Sequence, residues 1–302
     1  MLQASATSCT DLSDPQVLQH PGENPLRYWS WRGVVMFALV CLLYHGIAKS
    51  LVRDWWNDPN FSHGFFVPIF SGFLVWQDRR RLAAIPVNPS WWGIGIMGAA
   101  LAAMVVGVFG SELFLSRTSL ILLLAGMAVY FRGWRFFRAV LFPWVILFLM
   151  VPLPAIVFNQ IALPLQMMAS KLASTALSVM GVPVLREGNV LTLPAMPLEV
   201  AEACSGIRSL ISLATLAVIY SSFVEPKALG RCLLVVMAAP IAVIANALRI
   251  VGTGLLVQYW DPNKALGFFH EFSGWVIFIA SLALLIAAHG LIRLVVHRPA
   301  RT

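Results

Sequence analysis

The chain has 302 residues, of which 59% are hydrophobic and only 11% are charged. A soluble domain is about 25% charged. This composition, with a mean hydropathy of +0.81, therefore excludes an ordinary soluble protein and indicates a polytopic α-helical membrane protein. The net charge of +8 does not indicate a nucleic-acid partner, because Lys and Arg cluster in short loops between apolar runs, as membrane topology requires.

The first segment, residues 1–30, is mostly polar and contains Pro15, Pro21 and Pro25. It lacks the basic start and the apolar stretch of a signal peptide. We expect a disordered cytoplasmic tail over 1–30, followed by one transmembrane domain over 31–298.

Apolar runs along the rest of the chain predict an all-α polytopic fold with about eight transmembrane helices. These runs cover residues 33–52, 61–77, 91–110, 114–131, 139–158, 205–223, 232–257 and 272–296. The stretch 160–182 is more polar, with Gln160, Gln166 and Lys171. It suits an interfacial or re-entrant helix better than a full span.

The cations predict the orientation of the spans. Of the 21 Lys and Arg residues, thirteen fall on one side of the predicted spans, six fall on the other, and Arg208 and Arg249 lie inside spans. The positive-inside rule then puts both termini in the cytoplasm. The segments 159–204 and 258–271 are therefore expected outside the cytoplasm, so residues far apart in the chain reach one membrane face.

A short β-prone region precedes Cys204. Val190–Leu193 and Leu198–Ala201 flank a turn that contains Pro194 and Pro197, which predicts a small extracytoplasmic hairpin. Such a hairpin would present Cys204 from a fixed base, and its edge could pair with an extended peptide.

Cys204 is the strongest candidate for a nucleophile. It directly precedes an apolar helix, where the macrodipole and free amides stabilise a thiolate. Arg208, one turn later, adds positive charge on the same face. A thiol with a lowered pKa is a nucleophile at neutral pH. Simple packing of a small apolar side chain stays an alternative, and it is preferred for Cys41 and Cys232.

Arg249, in the sequence ANALRIVGTG, is a candidate for stabilising charge in a reaction. An arginine inside a span is costly and marks function by default. Its guanidinium could stabilise the oxyanion of acyl transfer, and Asn246, one turn earlier, could be a second donor. The alternative is that Arg249 extends to the outer headgroups.

Two histidines are expected at the same outer face. His270, in GFFHEFSGW, could act as general base and then as general acid, although it could also simply face water. A zinc HExxH motif is excluded because position 274 is Gly274, and no metal or cofactor is predicted. His63, in DPNFSHGFFVP, is a supporting candidate, more simply explained as the start of a helix.

The stretches EACSGIRSL, NALRI, HEFSGW and FSHGFFVP, within about residues 55–295, resemble the exosortase family of bacterial membrane transpeptidases. The resemblance implies a sortase-like cysteine peptidase of the inner membrane whose catalytic set is Cys204, Arg249 and His270. The implied substrates are exported proteins with a C-terminal PEP-CTERM signal, which combines a Pro-Glu-Pro motif, a membrane helix and a basic tail. The family is associated with exopolysaccharide and biofilm genes. The short C-terminus is similar to members without a fused soluble domain, such as exosortase B.

This resemblance implies that the thiol attacks a peptide bond at the outer leaflet. The resulting thioester acyl-enzyme would be resolved by an unidentified acceptor or by water. The expected partners are PEP-CTERM substrate proteins, membrane lipid and that acceptor, with no nucleic acid. One alternative is a non-enzymatic component of polysaccharide export, with Arg208 and Arg249 binding an anionic lipid or sugar phosphate. A transporter is a third possibility, but the internal symmetry and broken helices typical of one are not visible in the sequence.

Overall fold

The computed structural model describes residues 31–199, 206–260 and 268–296. The described residues divide into two compact units at Gly46, with the larger unit beginning at Ile47. The described part of the first unit is the N-terminal portion of one helix. All other elements, and the candidate site, belong to the second unit. The predicted tail over 1–30 lies outside the described residues.

The described residues form mostly helix with one small sheet. A 3₁₀ helix, Pro59–Phe65, follows the first α-helix, and a second, Leu147–Met150, follows the seventh. The α-helices are α1 Trp31–Asn57, α2 Phe66–Gln77, α3 Arg79–Ala83, α4 Trp92–Phe109, α5 Leu113–Arg132, α6 Trp134–Ala139, α7 Leu141–Ile146, α8 Ala155–Val179, α9 Gly206–Val224, α10 Ala228–Tyr259 and α11 Phe268–Val296. The strands are β1 Leu185–Glu187, β2 Val190–Thr192 and β3 Pro197–Glu199.

The all-α polytopic membrane fold is confirmed, but the count of eight spans is not. Among the described residues, five helices are long and apolar enough to cross a membrane, or six if one bent pair counts as a single span. The five are Val34–Asn57, Trp92–Phe109, Leu113–Arg132, Ala228–Tyr259 and Gly274–Arg293. The predicted second span is shorter than expected, because α2 has only 12 residues.

The predicted span 139–158 is not one helix. The segments Leu141–Met150 and Ala155–Val179 meet at a bend of 83°, which makes them a broken span or a re-entrant loop. The break contains Pro152 and Pro154, and a proline both removes a backbone donor and keeps the preceding residue out of the helical region. The stretch 160–182, predicted as interfacial or re-entrant, forms most of α8.

The predicted hairpin before Cys204 is confirmed and gains a third strand. The antiparallel order is β1-β2-β3, with Leu191 opposite Leu198 across the β2–β3 pair. Both leucines are buried in a cluster with Leu177 of α8 and Ile250 of α10. This packing fixes the base of the segment that leads to α9.

The three C-terminal helices, α9, α10 and α11, pack against one another, and α10 also packs on α8. Small residues such as Ala217, Ala238 and Ala242 are buried between them, beside Leu213 and Leu285. In a bilayer, helix association depends on close packing rather than on removal of apolar surface from water, and small residues permit that approach. The bundle therefore holds the starts of α9 and α11 and the second half of α10 in a fixed relation.

Candidate active site

The 3₁₀ helix that carries His63 begins with a capped turn. Pro59 stands at its first position, and the Asp58 carboxylate accepts a hydrogen bond from the Asn60 N–H at 2.8 Å. Proline at the first turn and aspartate at the cap are the residues that favour a helix start. The His63 Nε2 donates to the Leu149 carbonyl at 3.1 Å. This hydrogen bond connects the helix to the second 3₁₀ helix, Leu147–Met150.

Trp55 and Gly64 hold the same 3₁₀ helix from a second direction. The Trp55 indole N–H donates to the Met150 carbonyl at 2.9 Å. A Cβ added at Gly64 would stand only 2.3 Å from Trp55 Nε1. A glycine is therefore required for the indole to lie this close to the turn, which explains one residue of the FSHGFFVP stretch.

Burial lowers the pKa of His63 from its ordinary value of 6.5, and the carbonyls of Leu149 and Asn60 oppose this effect only in part. The neutral ring is therefore the favoured form near pH 7. Because Nε2 faces a carbonyl, it carries the proton. The ring proton of His63 therefore connects the 3₁₀ helix to the Leu149 carbonyl.

The 3₁₀ helix packs against α9, and the Arg208 cation of α9 interacts electrostatically with two other charged residues. The exposed Arg208 cation attracts the Asp58 carboxylate and is repelled by the Arg249 cation. Its helix begins at Gly206, and one residue separates Gly206 from Cys204. Cys204 itself lies outside the described residues. The N-terminus of α9 adds the partial positive charge of a helix start to this region.

Asn246 and Arg249 lie one turn apart on α10. Asn246 is 3% exposed, and its Nδ2 group is buried without a hydrogen-bond partner among the described residues. It lines a cavity of about 10 Å³ together with Leu165 of α8 and Leu210 of α9, near the size that one water requires. The structure thus leaves an amide donor unused between three helices, beside the Arg249 turn.

Arg249 also reaches α11. A Cβ added at Gly274 would stand 3.6 Å from Nη2 and 3.8 Å from Cζ of Arg249. Residue 270 precedes Gly274 by one helical turn, so both positions share one face of α11. The guanidinium therefore lies against the face that carries His270, whose side chain is outside what the structure describes.

Among the predicted site residues, the structure brings the His63 helix, Arg208, Asn246 and Arg249 to one end of the bundle. It leaves Cys204 and the His270 side chain untested. Sequence reasoning missed Asp58 and Gly274. The Asp-Pro pair that opens DPNFSHGFFVP was a signal for a helix cap, whereas the contact of Gly274 with an arginine on another helix has no local signal.

A second set of buried polar side chains connects α9 to α11, near the C-terminal ends of both helices. The Tyr220 hydroxyl lies 3.0 Å from His289 Nδ1, and His289 Nε2 lies 3.4 Å from Glu225 Oε2. Arg231 donates to the Glu225 carbonyl at 2.7 Å. This chain of contacts is internal to the bundle.

One of three comparisons with known proteins gives a match, and it covers the residues of this site. No curated protein and no solved structure matches the chain. A family model described as transmembrane exosortase matches residues 55–287. The match begins at Trp55, beneath the His63 helix, and continues past Arg208, Arg249 and Gly274. Because it covers most of the chain, the protein belongs to the transmembrane exosortase family.

Proposed function

We propose that this exosortase is a cysteine transpeptidase or protease that cleaves the C-terminal PEP-CTERM signal of exported proteins at the outer face of the bacterial inner membrane. The proposal includes a thioester intermediate and a role in exopolysaccharide or biofilm production. One observation supports it above the others. Arg249 of α10 lies against the α11 face of position 270, and its charge interacts with that of Arg208, four residues after Cys204.

The first chemical step is acyl transfer to the thiol. The Cys204 thiolate attacks the scissile carbonyl carbon, and the carbonyl oxygen becomes an oxyanion that Arg249 stabilises through its guanidinium N–H groups. The C–N bond then breaks, and His270 donates a proton to the leaving amine. The substrate's membrane helix and basic tail leave with that amine, and the remaining acyl group stays on Cys204 as a thioester.

The second step releases the product. An amine acceptor or water attacks the thioester carbonyl, the thiolate of Cys204 leaves, and His270 takes up the proton of the attacking group. Transfer to an amine makes the enzyme a transpeptidase, whereas attack by water makes it a protease. Both outcomes use the same residues and differ only in the nucleophile that reaches the thioester.

Arg208 and Asn246 have supporting roles in this proposal. Arg208 is exposed near the start of α9, so its cation favours the thiolate and attracts the glutamate of a Pro-Glu-Pro motif. The unused Nδ2 of Asn246 is a donor one turn from Arg249. It stabilises the oxyanion directly or holds a water in the small cavity beside it.

Co-expression with a PEP-CTERM reporter protein tests the proposal. We expect Cys204→Ala to abolish cleavage while the enzyme still accumulates in the membrane, as judged by gel and blot. Cys41→Ala and Cys232→Ala are the matched controls, since both are exposed thiols on other parts of the chain, and they should cleave normally. Normal cleavage by Cys204→Ala would refute the covalent mechanism.

A further inference from the structure

A second cationic feature lies at the opposite end of the helices from the candidate active site. The His63 helix precedes α2 and packs on α9, and Phe73 near the end of α2 contacts Phe223 near the end of α9, with ring centroids 6.1 Å apart. The chain then enters α3, which borders a cavity of about 500 Å³. The cavity is lined by Arg81, Ala84, Ile85, Pro86, Arg135, Arg138 and Ala139.

The two helices that form this cavity are firmly packed. Leu82 of α3 is buried in one cluster with Phe137 and Val140 from the region of α6. The Arg132 Nη2 donates to the Leu82 carbonyl at 2.9 Å. The cavity walls are therefore held by buried contacts and do not depend on the arginines that line it.

A close approach at Gly133 completes the support. Gly133 has a φ of +88°, and a Cβ there would stand 2.0 Å from the Asn88 carbonyl oxygen. Only glycine fits both constraints. This contact fixes the start of α6 and so the direction in which Arg135 and Arg138 project.

The lining of the cavity is cationic. Its lining includes three arginines and no carboxylate, and Arg81, Arg135 and Arg138 are all exposed. Arg135 and Arg138 are three residues apart, on one face of α6. Three like charges around one opening repel each other, and a bound anion relieves that repulsion.

The surroundings indicate where such an anion comes from. Phe131, Trp134 and Trp76 are large exposed aromatic residues at the adjoining ends of α5, α6 and α2. Exposed Trp residues at the ends of membrane helices are typical of the headgroup level of a bilayer. A guanidinium fork binds phosphate oxygens in pairs, and the apolar lining residues Ala84, Ile85 and Pro86 suit the glycerol and upper acyl chain of a lipid.

We propose that this cavity binds the phosphate of an anionic phospholipid, with Arg81, Arg135 and Arg138 as its ligands. Basic pockets between membrane helices are a recurring form of anionic-lipid site. The site is distinct from the proposed active site and does not depend on it. A free phosphate in solution offers the same oxygens, so the experiment must separate the two sources.

Native mass spectrometry and thermal unfolding of the detergent-purified protein test this proposal. The probes are phosphatidylglycerol, phosphatidylcholine and inorganic phosphate. We expect phosphatidylglycerol to remain bound and to raise the unfolding temperature, while the other two have little effect at equal concentration. An equal effect of phosphatidylcholine would overturn the charge argument, and an equal effect of inorganic phosphate would overturn the lipid assignment.

Variants then assign the site. Arg135→Gln with Arg138→Gln should weaken phosphatidylglycerol binding about tenfold or more, since two charge-assisted contacts are lost. Arg79→Gln is the matched control, because Arg79 is exposed on the same helix as Arg81 but stacks on Trp76, 4.4 Å from its ring centroid. Without lipid, the double variant should unfold at the same temperature as the wild type, because these side chains do not stabilise the cavity walls. Equal binding by the double variant and the wild type would overturn the proposal.

Discussion

The guanidinium of Arg249 on α10 lies against the backbone of Gly274 on α11, where an added Cβ would stand 3.6 Å from Nη2. This contact connects two helices that are joined by a segment outside the described residues. It also sets how far the guanidinium can lie from position 270, one turn earlier on the same face. The proposed oxyanion donor and the proposed general acid are therefore coupled through one glycine.

Substitution of Gly274 should test this coupling. A Cβ at 3.6 Å is an ordinary contact, so Gly274→Ala should keep most of the cleavage activity. Gly274→Leu should reduce cleavage of a PEP-CTERM reporter by about a hundredfold or more, because the side chain would displace the guanidinium from its position, and small misplacements of a catalytic group have effects of this size.

The control for Gly274→Leu is Gly290→Leu. Gly290 lies on the same helix, and a Cβ there meets nothing within 4 Å, so this variant should cleave normally. Membrane abundance is measured by blot for each variant. Full activity of Gly274→Leu at normal abundance would contradict a role for the Arg249–Gly274 contact.

A second prediction concerns the His63 helix. Gly64→Ala would place a Cβ 2.3 Å from the Trp55 indole nitrogen, whereas Gly72→Ala, on α2, would place one in open space. We expect Gly64→Ala to displace Trp55 or the helix and to lower thermal stability by an amount typical of overpacking, about 1–3 kcal/mol. Gly72→Ala should be neutral or slightly stabilising. Equal unfolding temperatures of the two variants would refute the close contact.

Much of the fold could be predicted from sequence because a long apolar run in a bilayer forms a helix. The helices α4, α5, α10 and α11 follow from such runs. The prediction of one span over 139–158 was wrong, because mean hydropathy does not register the effect of Pro152 and Pro154, which break the helix locally. Strand β1 was missed because Leu185–Glu187 is too short and too polar for an alternating pattern to emerge.

The candidate site was less predictable than the fold. Residue types and a shared membrane face singled out Arg208 and Arg249, and the structure brings their charges within interaction range. The cap at Asp58 and the Gly274 contact depend on the packing of separate helices, which no local pattern encodes. Cys204 and the His270 side chain stay predictions.

Arg117 should need its partner Asp54. Arg117 lies in α5 with only 3% of its side chain exposed. It donates to the Asp54 carboxylate and, at 3.1 Å, to the Ser50 hydroxyl. Asp54→Ala should destabilise the protein by about 3 kcal/mol, the low end for a broken buried pair, because the Asp54 side chain is 35% exposed.

Removal of both charges separates the pair from the loss of a side chain. Asp54→Ala combined with Arg117→Met should recover most of the lost stability, because no buried charge is then left without a partner. Chemical unfolding in detergent gives both free energies. Additive losses in the double variant would show that the ion pair is not the source of the effect.

The contacts of Tyr220 make a third stability prediction. If Nδ1 of His289 accepts from the Tyr220 hydroxyl at 3.0 Å, its Nε2 carries the ring proton and lies 3.4 Å from Glu225 Oε2. Tyr220→Phe should then lower stability by about 1 kcal/mol, the usual effect of one hydrogen bond. Tyr259→Phe, at an exposed position, is the matched control and should be neutral. Equal stability of both variants would exclude an energetic role for this hydroxyl.

The last prediction concerns pH and His63. Because burial lowers its pKa below 6.5 in the folded protein, the unfolded chain binds the proton more tightly. Stability should therefore fall as the pH drops below about 6.5, and above that range His63 should not contribute to its pH dependence.

His63→Gln keeps a side-chain N–H for the Leu149 carbonyl but cannot titrate. Its stability should depend less steeply on pH between pH 7.5 and 5, by at most about 1.4 kcal/mol per pH unit. Unfolding curves measured across this range for both proteins provide the test, since other titrating groups contribute equally to each. Parallel pH profiles would mean that His63 is not protonated on unfolding, and the buried neutral ring would then have to be abandoned.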